Sequence, residues 1–290
     1  MESEQKGISW SHAKVLPDIY NSNTRFIVFD TETSGLNCKV NHILELAAVE
    51  MHKGKITGQQ FHIYIKPRHT IPHEVTSINH IQQDLFDKCY EEYYLEEKEQ
   101  MIAFLKFVGN DSVLFGHNVP FDYYFLNNEL KYLGLPGIPV SRFKCTLRIM
   151  KDVFGKVFNG EQKFSFKLHN CVKLFKICNE KEMFHNALFD SFITAKLIVK
   201  IYQFVNGKIT LEELDVPEGV MIKKNIKNEN VKSIEGCKDN VICDNKENSN
   251  QKEKSYNNIN DIDENELLIM KTKMKQLSLK SGSNSNIQDK

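Results

Sequence analysis

Two acids stand close together where the chain is otherwise apolar. Arg25–Asp30 (RFIVFD) is a short hydrophobic run ending in a carboxylate, and Thr31, Glu32, Thr33, Ser34, Gly35 and Leu36 follow. Side chains alternate along a strand, so Asp30 and Glu32 project from one face, two residues apart. Carboxylates that close repel each other unless a cation or a shared proton intervenes, and hard divalent ions prefer oxygen ligands. A plain alternative is a solvated strand end feeding the turn at Gly35.

Two further clusters carry acids at the edges of elements. Gly116-His117-Asn118-Val119-Pro120-Phe121-Asp122 follows one apolar run and opens a helical pattern in which Pro120 is tolerated in the first turn. Asp122 there is explained either by the positive end of the helix dipole or by a site at the carboxyl edge of a sheet strand. In His185-Asn186-Ala187-Leu188-Phe189-Asp190, Asn186 is a reasonable N-cap, which leaves His185 outside the helix and Asp190 within it.

The elements that must position these residues follow from periodicity. Arg25–Asp30, Ile43–Met51, Gln60–Lys66 and Ser112–Phe115 have the composition of strands, with residues 52–55 as a turn between the second and third. Glu97–Val108, Phe121–Leu133, Ser165–Ile177 and Asn186–Val205 repeat apolar residues at helical spacing. A meander of strands followed by alternating helices and strands means an α/β fold with a mixed sheet.

Composition bounds the rest. The chain has 290 residues, with 38 Lys and Arg against 38 Asp and Glu, which excludes a uniformly basic nucleic-acid sleeve but not a local basic groove. No apolar run has the length of a membrane span and the start lacks a signal-peptide core, so a soluble intracellular protein is expected. Seven cysteines, odd in number and without a CxxC pair, argue against structural zinc and a disulfide framework. All 19 Phe precede residue 218, whereas the last 73 residues hold 13 Asn and 13 Lys. So little apolar surface cannot offset the entropy of ordering, and 218–290 is expected to be mainly disordered. Glu264–Lys280 alone has the composition of a transient helix or docking peptide. The organisation expected is an extension (1–23), one folded domain (24–206) and a linker with a low-complexity tail (207–290).

The segments FDTETSGL, GHNVPFD and HNALFD resemble the three motifs of the DEDDh branch of the DnaQ-like 3′–5′ exonucleases, and the resemblance covers about residues 24–206. Ile43–Ala47 and Ile78–Ile81 are similar to the family's second strand and to its loop before the first helix. Ser34 stands where threonine is usual, and Ser191 where alanine is common. The resemblance implies a ribonuclease H-like fold, with a mixed five-stranded sheet flanked by helices.

It also implies a site. Asp30, Glu32, Asp122 and Asp190 would be the acids that hold two Mg²⁺ (or Mn²⁺), and His185 the general base. Thr33, Gly35 and Leu36 would cradle the terminal nucleotide, while His80, Phe121 and Phe125 would stack on or border its base; for the two phenylalanines, a place in the core is the competing explanation. His117 and Asn118 are expected to orient their turn. His42, His52, His62, His69, His73 and His169 are assigned no role, since surface or turn positions account for them. With only four arginines, phosphate contacts fall to lysines and backbone amides. The implied reaction releases nucleoside 5′-monophosphates from the 3′ end of a single-stranded nucleic acid, DNA in preference to RNA. The rival reading is a nucleic-acid-binding or scaffolding module of the same fold without hydrolysis. Gln276–Leu279 is similar to the start of a clamp-docking peptide, with Lys280 where an aromatic is expected, so a replication or repair partner could meet the tail.

Overall fold

A computed structural model describes residues 19–21, 23–89, 97–155, 157–159, 164–178 and 184–222. The chain divides into two units, 1–232 and 233–290, and the second lies wholly outside the described residues, as does the segment expected to form a docking peptide.

The five-stranded sheet is built from β1 (Phe26–Thr33), β2 (Ile43–His52), β3 (Lys55–Tyr64), β4 (Val113–Gly116) and β5 (Phe143–Cys145), in the order β3-β2-β1-β4-β5. β1 runs antiparallel to β2 and parallel to β4, and β4 is parallel to β5. This is the mixed sheet expected from the pattern of elements. β1 extends past Asp30 and so carries both Asp30 and Glu32 in regular strand geometry. β3 begins at Lys55, earlier than expected, because Lys53 and Gly54 both take positive φ (49° and 71°) and close a tight hairpin directly after β2.

The helices are α1 (His73–Asn79), α2 (Gln83–Cys89), α3 (Glu97–Val108), α4 (Pro120–Tyr132), α5 (Thr146–Phe154), α6 (Leu168–Leu174) and α7 (Ala187–Val205). α6 is shorter than the helix expected over 165–177. The Phe166 carbonyl is taken by the ring of His117 at 2.9 Å, so the segment before Leu168 stays extended. α7 is buried along most of its length and packs on β1 and β2. That burial suits its largely apolar sequence, with Lys196 and Lys200 on the half-buried side. On the sheet, Ile27, Phe29, Leu46 and Ala48 join Met101 and Phe104 of α3 and Phe125, Leu126 and Leu130 of α4 in the main core cluster.

The fold continues past the boundary expected at residue 206. Leu214 is buried, the Asp215 amide donates to the Leu174 carbonyl at 2.8 Å, and a two-residue strand β7 (Met221–Ile222) pairs with β6 (Phe158–Asn159). Among the described residues, no helix is long and apolar enough to cross a membrane, and Cys38, Cys145 and Cys171 are free thiols.

Candidate active site

The site forms where β1 outruns β4. The β1–β4 pairing ends at Val28 opposite Phe115, so the next backbone groups of β1 on that side need other partners. Asp122, the third residue of α4, supplies one: its Oδ1 accepts from the Thr31 amide at 3.1 Å and from the Thr31 hydroxyl at 2.7 Å. Asp122 is therefore buried against the strand that carries Asp30 and Glu32. Its place in the first turn of α4 also suits the helix dipole, so both explanations offered by the sequence hold together.

On the opposite face of β1, α7 brings the third motif. The Asn186 side chain caps the helix by accepting from the Phe189 amide at 3.0 Å, a bond worth about 1 kcal/mol. His185 lies just outside in the left-handed region, at φ 67°, and its amide donates to Asp190 Oδ2 at 3.2 Å. The side chains of Glu32, His185 and Asp190 each offer a ligand atom within 4.8 Å of the others, a group able to hold a metal ion.

The electrostatics of this pocket call for a cation. Burial, then the charges of Asp122, Asp190, Glu32 and Glu45, push the Asp30 carboxyl well above the usual range. Burial and the neighbouring acids raise Glu32 to about 9. Asp122 rises to about 7 by burial, against the opposing hydrogen bonds from Thr31. Asp190 also rises to about 7 by burial, opposed by the His185 amide. Asp190 Oδ1 is buried and accepts no hydrogen bond. An all-oxygen acid set with an orphaned oxygen fits a hard divalent ion. His185 moves the other way: desolvation first, then His169, His80 and Lys167, hold it below its ordinary value and so neutral at pH 7.

The remaining expected residues separate into two groups. Thr33 Oγ1 donates to the Gly35 carbonyl at 2.7 Å and shapes the turn after β1. At Gly35 a Cβ would come 2.7 Å from the Asn41 carboxamide, so the close approach requires glycine. Leu36 projects from this turn with 88% of its surface exposed, available to a ligand. His80 is exposed at the end of α1 with φ 59°, and Phe121 is half-buried. Phe125 corrects the expectation that it borders a base. It is only 2% exposed, packs in the core and touches Phe121 at 4.8 Å between ring centroids, so it supports Phe121 and presents no free face.

His117 orients its turn, as expected, through Thr146 Oγ1 and the Phe166 carbonyl, both at 2.9 Å; burial lowers it to about 4, which keeps it neutral. The histidines given no role need correction in two cases. His42 meets the Arg68 guanidinium at 2.9 Å, and His62 Nε2 meets Glu45 Oε1 at 2.7 Å. Arg68 also bonds Glu97 and Glu129 and lies over Tyr132, while Arg25 pairs with Glu50 and Arg142 binds carbonyls of 109 and 112. Three of the four arginines thus serve the fold.

Sequence reasoning missed Glu45. Its signal was an acid inside the apolar run ILELAAV, a placement that costs several kcal/mol unless the group is fully partnered.

Residues 27–198, more than half of the chain, match the Exonuclease (RNase_T) family. The chain belongs to this family and is a DnaQ-like 3′–5′ exonuclease. It is 33% identical over 206 residues to the DNA polymerase III subunit epsilon of Rickettsia typhi (strain ATCC VR-144 / Wilmington), covering 69% of this chain and 82% of the relative. The subunit of the same name from Escherichia coli (strain K12) is 30% identical over 190 residues, covering 63% and 72%. The solved zinc-bound complex of E. coli exonuclease I with single-stranded DNA shares the fold, with a TM-score of 0.51 at 18% identity. That likeness covers 64% of this chain and 43% of the other, so this chain spans less than half of exonuclease I.

Proposed function

We propose that this exonuclease removes nucleotides from the 3′ end of DNA, with Asp30, Glu32, Asp122 and Asp190 holding two divalent cations, Mg²⁺ or Mn²⁺, and His185 acting as the general base. The observation that carries this reading is the gathering of Glu32, Asp190 and His185 within 4.8 Å of one another, in a pocket where the charges of Asp30, Asp122, Glu32 and Asp190 act on each other. When bound, such ions supply charge neutralisation at the phosphate and polarise water at neutral pH.

The chain's own residues supply the rest. His185, held neutral, accepts a proton from the attacking water. The water oxygen bonds to phosphorus, the bond to the 3′ oxygen of the preceding nucleotide breaks, and that oxygen takes up a proton from solvent. The terminal nucleotide departs as its 5′-monophosphate. The Thr33–Leu36 turn cradles it: Gly35 permits close approach, Leu36 wedges beside the last base, and His80 and Phe121 border that base.

DNA is favoured because the relatives at 33% and 30% identity are subunits of a DNA polymerase. Proofreading or repair is the role that this favours, with a single-stranded end as the form the site takes. The test is a comparison of 3′-labelled single-stranded DNA, duplex DNA, RNA and dinucleotides with Mg²⁺ or Mn²⁺. Release of 5′-mononucleotides, fastest from single-stranded DNA, is expected. Folded protein without release under either ion would overturn the reading, and faster turnover of RNA would overturn the substrate.

A further inference from the structure

We propose that Glu45 is a positioning residue for the hydrolysis, a buried clasp that sets His185 and Asp190 against the acids of β1. The proposal rests on the reading that His185 and Asp190 carry the chemistry. Glu45 lies directly across the ladder from Glu32, so both side chains rise on the face that α7 covers. It is fully buried, yet its carboxylate has three donors. Oε1 accepts from His62 Nε2 at 2.7 Å and Asn186 Nδ2 at 2.9 Å, and Oε2 accepts from the Ala187 amide at 3.1 Å.

Two of those donors belong to the first residues of α7. The Ala187 amide is one of the donors a helix start leaves unpaired, and Asn186 is already the N-cap through its Oδ1. Glu45 thus satisfies the helix end, fixes the amide orientation of the cap, and sits at the positive pole of a 19-residue helix. Ser191 Oγ adds a bond to the Ala47 carbonyl at 3.2 Å, on the same strand. With both ends of the 186–191 segment tied to β2, the His185 backbone, bonded through its amide to Asp190, and the buried Asp190 are set against that strand. Misplacement of a reacting group by about 1 Å can cost roughly a hundredfold in rate, so such a clasp is worth its buried charge.

Three substitutions in the full chain separate reach from charge. Glu45→Gln keeps the length and one acceptor for the Ala187 amide, but its Nε2 then opposes Asn186 Nδ2. Glu45→Asp keeps the charge and falls one methylene short. Glu45→Ala removes both. If Glu45 positions, kcat on a short single-stranded oligonucleotide falls about 5–10-fold in Gln and about 30–100-fold in Asp and Ala, with KM changed under threefold.

The cycle with His185→Ala decides what the residue acts through. In that background the loss caused by Glu45→Gln shrinks, because one of the two groups being positioned is gone and only Asp190 remains. Equal losses in both backgrounds, Asp more active than Gln, or an unchanged kcat in Glu45→Gln would each overturn the proposal. The Gln variant keeps the test decisive if Glu45→Ala does not fold. Failure of the underlying reading shows separately, as full activity of His185→Ala alone.

Discussion

The backbone of His185 and the carboxylate of Asp190 are joined: the His185 amide donates to Asp190 Oδ2 at 3.2 Å, across the turn that Asn186 caps. The bond leaves Asp190 Oδ1 without a hydrogen-bond partner, and one six-residue turn sets the two residues that meet Glu32.

Replacing His185 by Ala is expected to lower kcat by about 10²–10⁴-fold with KM nearly unchanged, since a general base contributes about that much. His185 is held below its ordinary value, so the wild-type rate should rise with pH through an apparent pKa below 6.5 and level off before neutrality. The variant should lack that limb and recover in part at higher pH, where hydroxide replaces the base. A pH–rate profile of both proteins checks this; full activity of the variant at pH 7 overturns the assignment.

The acid cluster should make stability in EDTA depend on pH. The folded carboxyls of Asp122 and Asp190 rise to about 7 and Glu32 to about 9, whereas unfolded carboxyls titrate near 4. Between those values the folded state binds more protons, so the stability present at low pH is lost as pH rises from about 4 to 9. A loss of about 2 kcal/mol would lower the melting temperature by roughly 4–8 °C. Added Mg²⁺ should restore more at pH 8 than at pH 5.5, because ions and protons compete for the same oxygens. Asp190→Ala should abolish turnover and flatten this dependence. A melting temperature in EDTA that rises from pH 5 to pH 9 would contradict the cluster.

Thr31→Val tests the anchor of Asp122. Valine matches threonine in shape but removes the 2.7 Å hydroxyl bond, leaving only the amide. Hydrogen bonds to charged groups contribute about 1.5–3 kcal/mol, so a roughly tenfold fall in kcat with a modest fall in melting temperature is expected. Steady-state kinetics beside a thermal melt would show it, and an unaltered kcat would mean that Asp122 needs no such anchor.

Gly35→Ala should act on the substrate. The new Cβ would press within 2.7 Å of the Asn41 carboxamide and shift the turn that carries Leu36. KM for the oligonucleotide should rise about tenfold while kcat stays close to wild type, and the melting temperature should fall modestly because the positive φ at Gly35 is strained for alanine. Asn41→Ala in the same chain should recover part of the loss. Unchanged KM in Gly35→Ala would exclude the turn as a nucleotide cradle.

The pairing of Asp30 with Glu32, the opening of α4 at Pro120 and the N-cap at Asn186 were all legible in the sequence. Each depends on residues a few positions apart, whose geometry is dictated by strand alternation or the helical turn. What only the tertiary structure decided involves residues far apart in the chain. Thr31 holds Asp122 from 91 positions away, and Glu45 holds Asn186 from 141. Phe121 and Phe125 look alike as aromatics on one helix, yet packing buries the second and leaves the first at the rim. Periodicity states which face of an element is apolar; what lies against that face, and which buried acid therefore finds its donors, is set only when the elements close on one another.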